Sequence, residues 1–186
     1  GVQTLLTTLK QDPYALETAY VSVITFDSSA RQAVPLTDLL SFQMPALTAS
    51  GTTSLGEALT LTASSIAKEV QKTTADTKGD WRPLVFLMTD GSPNDDWRKG
   101  LNDFKAARTG VVVACAAGHD ADTSVLKEIT EIVVQLDTAD SSTIKAFFKW
   151  VSASISVGSQ KVESSKKEVI GLEDLPPPPP EVNVVL

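Results

Sequence analysis

With 186 residues, 42% of them hydrophobic and 21% charged, the chain is long enough for one well-buried core and a modest tail, so a single domain is expected. Its 16 basic against 23 acidic side chains leave a formal net charge of −7, which opposes docking to the phosphate backbone of nucleic acid or to an anionic membrane surface. No apolar run approaches the roughly 18 residues that a membrane-spanning helix needs, and the first residues carry no basic-then-apolar signal pattern, so neither nucleic acid nor membrane is an expected partner.

In chain order, Val2, Leu5, Leu6 and Leu9 recur at helical spacing until Asp12-Pro13 ends the pattern. The chain thus opens inside a helix, and a longer translated product is expected. The β-branched and aromatic run from Tyr20 to Phe26 predicts a strand, and Arg31 to Pro35 a second, shorter one paired with it. After a loop containing Pro45 and Gly51, the residues Leu55, Leu59, Thr62, Ile66 and Val70 mark a long helix that ends in the polar stretch from Lys72 to Asp80. Pro83 opens the continuously apolar strand Leu84 to Met88, a pattern expected where both faces are covered. Asp96 to Arg108 predicts a helix, Val111 to Ala116 a second buried strand, Thr123 to Thr130 a short helix, and Ile132 to Leu136 a third strand. A final helix is expected from Ser141 to Val157, with Ile144, Phe147, Phe148, Val151 and Ile155 placed to dock on a sheet.

Strands alternating with helices in this way predict an α/β fold with right-handed crossovers and a doubly wound, mostly parallel sheet flanked by helices. Ligands of such sheets bind at the carboxyl ends of the strands. The domain is expected over residues 1–157. Residues 158–186 then turn rich in Ser, Lys and Glu, pass through the five prolines Pro176 to Pro180, and end in the strand-like Val182 to Leu186; the prolines are expected to act as an extended spacer. The one cysteine, Cys115, lies in the apolar run 111–117 and reads as a small buried hydrophobe without a disulfide partner, which fits a reducing, cytoplasmic compartment.

Two segments carry candidate chemistry. In Ser50-Gly-Thr-Thr-Ser-Leu-Gly-Glu-Ala-Leu59, hydroxyls stand at the start of an amphipathic helix, where free backbone amides favour caps and anions. In Phe86-Leu-Met-Thr-Asp-Gly-Ser-Pro-Asn94, Asp90 follows a buried strand directly. A hydroxyl and a carboxylate at neighbouring strand ends suit a hard divalent cation that prefers oxygen and keeps several waters, Mg²⁺ above all.

These segments resemble the von Willebrand factor A family, and the resemblance runs from about Gly1 to Val157. It implies a metal-ion-dependent adhesion site in which Thr53, with Thr52 the close alternative, and Asp90 are metal ligands, the aspartate usually through water. Lys10-Gln-Asp-Pro-Tyr-Ala-Leu16, Ile24-Thr-Phe-Asp27 and Ala116-Ala-Gly118 look closer still to the TerY-like branch associated with bacterial tellurite-resistance loci. Family members begin with a central strand ending in Asp-x-Ser-x-Ser, which supplies the directly bound oxygens. That motif occurs nowhere in this chain, so the metal site is expected to be incomplete and the sheet to lack its first central strand. Two expectations follow for that position: the missing strand belongs to the parent polypeptide, or Val182 to Leu186 fills the gap, in the same molecule or in a neighbour by tail-mediated self-association.

Other candidates have plainer readings. Asp27 stands at another predicted strand end and lines the same rim without being expected on the metal. His119, the sole histidine, is expected to be solvated in its loop. Asp95 and Asp96 are expected to complement a helix dipole, and Trp81, Trp97 and Trp150 to pack in or near the core. No phosphate-binding glycine loop, nucleophile elbow or histidine–cysteine pair occurs. The expected function is therefore non-enzymatic recruitment of a protein partner, whose acidic side chain completes the metal shell. The resemblance implies a stress-response setting with kinase- or phosphatase-type partners. The alternatives are a Mg²⁺-dependent phosphate-chemistry enzyme and a scaffold that has lost its metal.

Overall fold

A computed structural model of the chain describes residues 2–47, 51–118, 121–138, 140–165 and 175–185. Helices α1 (Val2–Leu9) and α2 (Pro13–Thr18) lead into strands β1 (Tyr20–Phe26) and β2 (Ala30–Asp38). The order continues α3 (Leu55–Glu69), β3 (Val85–Thr89), α4 (Trp97–Ala106), β4 (Val112–Ala117), α5 (Thr123–Ile129), β5 (Ile132–Leu136), α6 (Ser141–Ser165) and β6 (Asn183–Val185). Asp12-Pro13 ends one helix and starts another, because proline is pre-shaped for a first helical position and its missing N–H is not needed there. Helix α6 continues past the change of composition at Gly158.

Strands β3, β4 and β5 pair in parallel, as the βαβ spacing predicts, and β6 adds to the outer edge of β5 in antiparallel sense. Strands β1 and β2 form a separate antiparallel pair, with register shifts at Val21/Val23 and Val23/Ile24. Layers of helices cover both faces. On β4 and β5, Val113, Cys115, Val134 and Leu136 face α1 and α6, meeting Leu5, Leu9, Phe147 and Val151. Ala114, Ala116 and Val133 face the opposite way, toward Leu55, Leu59, Leu101, Phe104 and Leu126. This alternation is what a pleated strand buried on both sides requires.

The tail strand corrects one expectation. Asn183, Val184 and Val185 pair with Gln135, Val134 and Val133, so the tail edges the sheet beyond β5 and does not enter the region between β1 and β3. Among the described residues no ladder joins β1 to β3. Consistent with that open side, Val85 to Met88 are only half-buried, although their sequence is as apolar as a fully covered strand. The proline run is tied down too, and is not a free spacer. Trp150 donates its indole N–H to the Pro176 carbonyl at 2.7 Å, the Val182 amide donates to Pro179 O at 2.9 Å, and Val182 itself is buried.

Helix α3 crosses the β1–β2 pair and is fixed to it by two carboxylates. Glu57 accepts the Ala30 amide at 2.9 Å, and Glu69 accepts the Leu36 amide at 2.8 Å together with the Gln32 side chain. Its other flank lies against α4 at a contact with no room for side chains. A Cβ on Gly100 would strike the Gly56 carbonyl oxygen and come within 2.7 Å of Gly56 Cα. Two glycines are therefore what let these helices touch backbone to backbone.

Candidate functional site

The carboxyl ends of β1 and β3 and the start of α3 meet at one rim of the sheet. The loop 51–54 is held there by two main-chain bonds and one side-chain bond: Ser54 N–H donates to Asp27 O at 2.8 Å, Asn94 N–H to Thr53 O at 3.1 Å, and Thr53 N–H to the Asn94 side-chain Oδ1 at 3.0 Å. Gly51 has φ +90, and a side chain there would run into Ser28 Oγ, so the turn that delivers Thr53 depends on glycine.

Helix α3 lacks a local cap. Ser54 occupies the N-cap position without a side-chain hydrogen bond. The cap comes instead from Asp95, whose two carboxylate oxygens accept the amides of Gly56 at 3.0 Å and Glu57 at 2.9 Å. Asp95 thus complements a helix dipole as expected, but that of α3 and not that of the helix that follows it in sequence. Asp96, at the N-cap of α4, makes no side-chain cap bond. The effect is a stitch: the segment after β3 and the segment before α3 hold each other in register.

Thr53 and Asp90 therefore lie on the same rim. The Thr53 hydroxyl sits 3.1 Å from where a Cβ on Gly91 would be, at the residue that directly follows Asp90, so a side chain at position 91 would crowd that hydroxyl. Thr89 is buried and exchanges hydrogen bonds with Gly91, which shapes the turn carrying the exposed Asp90. Asp27 reaches the rim through its main-chain carbonyl. Its side chain accepts the Ser29 amide at 3.2 Å. His119 lies outside the described residues.

A hydroxyl and a carboxylate are hard oxygen donors, and their placement beside a glycine is compatible with a small divalent cation. The donor set is short, however. Among the described residues no group of three or more His, Cys, Asp or Glu side chains is arranged to hold a metal. Thr53 and Asp90 alone would leave most of the shell to water.

Elsewhere, Asp122 and Asp140 each cap the helix that follows. Hydrogen bonds from Ser124 to Asp122, and from Ser142 and Thr138 to Asp140, hold both carboxyls below the usual range. Burial pushes the Cys115 thiol up to about 12, which makes it inert and not nucleophilic. Trp97 and Trp150 are buried, as expected, while Trp81 is half-buried beneath Lys78. Sequence reasoning missed the Asp95 and Asn94 crosslinks, whose only local signal is the polar run Ser92-Pro-Asn-Asp95.

Residues 2–149 match the von Willebrand factor type A domain. No curated protein matches the chain by sequence. Solved structures with the same fold include proximal thread matrix protein 1 from the mussel byssus, at TM-score 0.60 and 19% identity, with 81% of this chain and 41% of that one covered. A von Willebrand factor type A protein from Catenulispora acidiphila aligns at TM-score 0.55 and 15% identity, over 82% of this chain and 38% of that one. BatB from Bacteroides thetaiotaomicron aligns at TM-score 0.54 and 18% identity, over 86% of both chains. The chain spans about two fifths of the length of the first two.

Proposed function

The chain belongs to the von Willebrand factor type A family, whose domains commonly serve as protein-interaction modules and are typically not enzymes, and we propose that this one recruits a protein partner at the Thr53–Asp90 rim through a shared divalent cation. The observation that carries the reading is the approach of the Thr53 hydroxyl to Gly91. Two loops far apart in sequence bring a hydroxyl and a carboxylate to one strand-end rim, stitched by Asn94 and Asp95. Such stitching means that little ordering cost remains when a ligand arrives.

In this reading Thr53 and Asp90 would hold Mg²⁺, whose positive charge attracts an acidic side chain that neither residue could attract by itself. The protein's contribution is to orient those two oxygens and leave one side of the rim open to the partner. Resemblance to the TerY-like branch supports a setting in a bacterial tellurite-resistance or related stress system, with kinase- or phosphatase-type partners. The buried lone cysteine supports a cytoplasmic setting, and no helix among the described residues is long and apolar enough to cross a membrane.

Mn²⁺ as a paramagnetic substitute tests the site. Selective broadening of the Thr52, Thr53 and Gly91 amide signals is expected, and its loss in Thr53→Ala/Asp90→Asn. Uniform broadening, or broadening indifferent to that double variant, would refute a cation at this rim. A glutamate side chain docking on the bound ion should then lower water-proton relaxation by displacing metal-bound water.

A further inference from the structure

At the opposite end of α3 a cavity of about 200 Å³ opens between the last turns of α3, the segment 71–82 and the end of α4. Its walls are apolar where the helices supply them, through Ala63, Ile66, Val70 and Ala106. Its mouth carries Lys72, Lys78, Arg82 and Arg108 against one carboxylate, Asp80. All five of these charged residues are exposed. Among the described residues the one salt bridge joins Arg98 to Glu128, so none of the four cations is neutralised by an ion pair there. A concentration of four cations is out of keeping with a chain of net charge −7.

The plainer explanation is that basic residues near helix C-termini offset the helix dipole. It extends at most to Lys72 and Arg108, three and two residues past the ends of α3 and α4. It does not account for Lys78 and Arg82, which reach the cavity from the connecting segment. That segment is built as a closed loop. The Gln71 amide donates to Asp80 Oδ2 at 2.8 Å, the Asp80 amide returns to Gln71 O at 3.0 Å, and the Gly79 amide donates to Thr73 Oγ1 at 3.1 Å. Asp80 is thereby occupied in closing the loop. Lys78 Nζ stands 5.1 Å over the Trp81 ring, held at the mouth by a cation–π contact.

We propose that this cavity is a second docking site, which takes an acidic peptide segment of a protein partner and inserts one apolar side chain of that segment between α3 and α4. The size sets the class of ligand, since small-molecule sites usually span roughly 300–1,000 Å³ and this one suits a single side chain. Charge complementarity at the mouth selects flanking Asp or Glu. The net charge of −7 disfavours a long polyanion such as nucleic acid, whose approach is governed by the field of the whole protein, and the Trp81 face on which a base would stack is already covered by Lys78. Along α3 the cavity-lining residues from Ala63 to Val70 lie 8 to 15 positions after Leu55, roughly 12–22 Å at 1.5 Å per residue. The two surfaces are therefore distinct.

The probe is the acetylated, amidated peptide Glu-Asp-Leu-Glu-Asp, titrated into the whole chain with EDTA present so that no cation at the rim contributes, and read by amide chemical shifts. Shifts confined to residues 63–82 and 106–108 are expected, with affinity falling about tenfold between low and physiological salt as the exposed charges are screened. Lys78→Glu/Arg82→Glu should abolish binding, and Ala67→Phe, which plugs the cavity without altering its charge, should weaken it at least tenfold. Thr53→Ala should bind as the parent does. Equal binding of the uncharged peptide Gln-Asn-Leu-Gln-Asn, shifts centred elsewhere, insensitivity to either cavity variant, or tighter binding of oligothymidylate would each overturn the proposal.

Discussion

Replacing Asp95 with alanine tests whether the stitch between the two rim segments is energetic as well as geometric. The carboxylate accepts two amides at the start of α3, at 3.0 and 2.9 Å, and Ser54 offers no substitute cap. Loss of a cap costs ~1–2 kcal/mol, and removing a negative charge from the positive end of a helix dipole adds ~0.3–1 kcal/mol. The expected cost is thus about 2 kcal/mol. With an unfolding entropy of ~2.1 cal/mol/K per residue, a chain of this length should lose on the order of 5 °C in Tm. Urea unfolding followed by tryptophan fluorescence gives the same quantity as a lower midpoint at unchanged slope. Asp95→Asn keeps one acceptor oxygen and should lose about half as much. The neighbouring Asp96, without a side-chain cap bond, provides the control, and Asp96→Ala should stay within ~0.5 kcal/mol of the parent. Equal effects at Asp95 and Asp96, or none at either, would refute the assignment of the cap.

At the helix crossing, Gly100→Ala forces a Cβ against the Gly56 backbone, where no side chain can yield, and should cost about 3 kcal/mol, the upper part of the range for overpacking, measured by urea unfolding. Asp122 and Asp140, whose carboxyls are held low chiefly by Ser124 and Ser142, contribute stability that is fully present above an unfolded-state pKa of ~3.9 and is lost as pH falls through their lower folded values. The double variant Asp122→Asn/Asp140→Asn should accordingly flatten the decline in the urea midpoint below about pH 4 while changing its pH dependence near neutrality little. Cys115, buried and pushed up to about 12, should resist a disulfide-exchange reagent in the native chain and react once the core opens in urea; prompt native labelling would contradict its burial.

Regular elements were legible because their periodicity is a local property. Ile132–Leu136 was placed to the residue, and the helix over Leu55–Glu69 was announced by Leu55, Leu59 and Ile66. The Thr53 and Asp90 segments were legible as strand-end and helix-start chemistry. What escaped was non-local. Nothing in the Asp95 context says that its carboxylate serves the helix beginning 40 residues earlier, because the pairing exists only after α3 and α4 have packed. Val182 to Leu186 has recognisable strand character, yet of the two expectations for the vacant position the one that puts this segment there within the same molecule is overturned by its pairing with β5. β-Propensity specifies that a strand can form but not which exposed edge it meets, and Trp150 anchoring Pro176 directs it to β5. Half-burial of Val85 to Met88 was equally illegible, since an apolar run reports the cover a strand prefers and not the cover it receives.

Charge shows the same limit on a larger scale. A net value of −7 describes only the sum of the charges, and at separations beyond about a Debye length that sum is already largely screened. Within ~8–10 Å the arrangement of individual groups decides. The same chain therefore presents two unlike surfaces along one helix: the rim shared by the Thr53 and Asp90 segments, proposed to take a cation, and a cavity mouth with four cations, proposed to take carboxylates. Because α3 is bonded along its length to β2 through Glu57 and Glu69 and touches α4 backbone to backbone, it behaves as a rigid spacer between them. Occupying one end should leave the affinity of the other unchanged. Measured coupling of more than about twofold between Mn²⁺ at the rim and the acidic peptide at the cavity would mean that α3 moves as it binds, and that the glycine contact with α4 is a sliding joint instead of a fixed one.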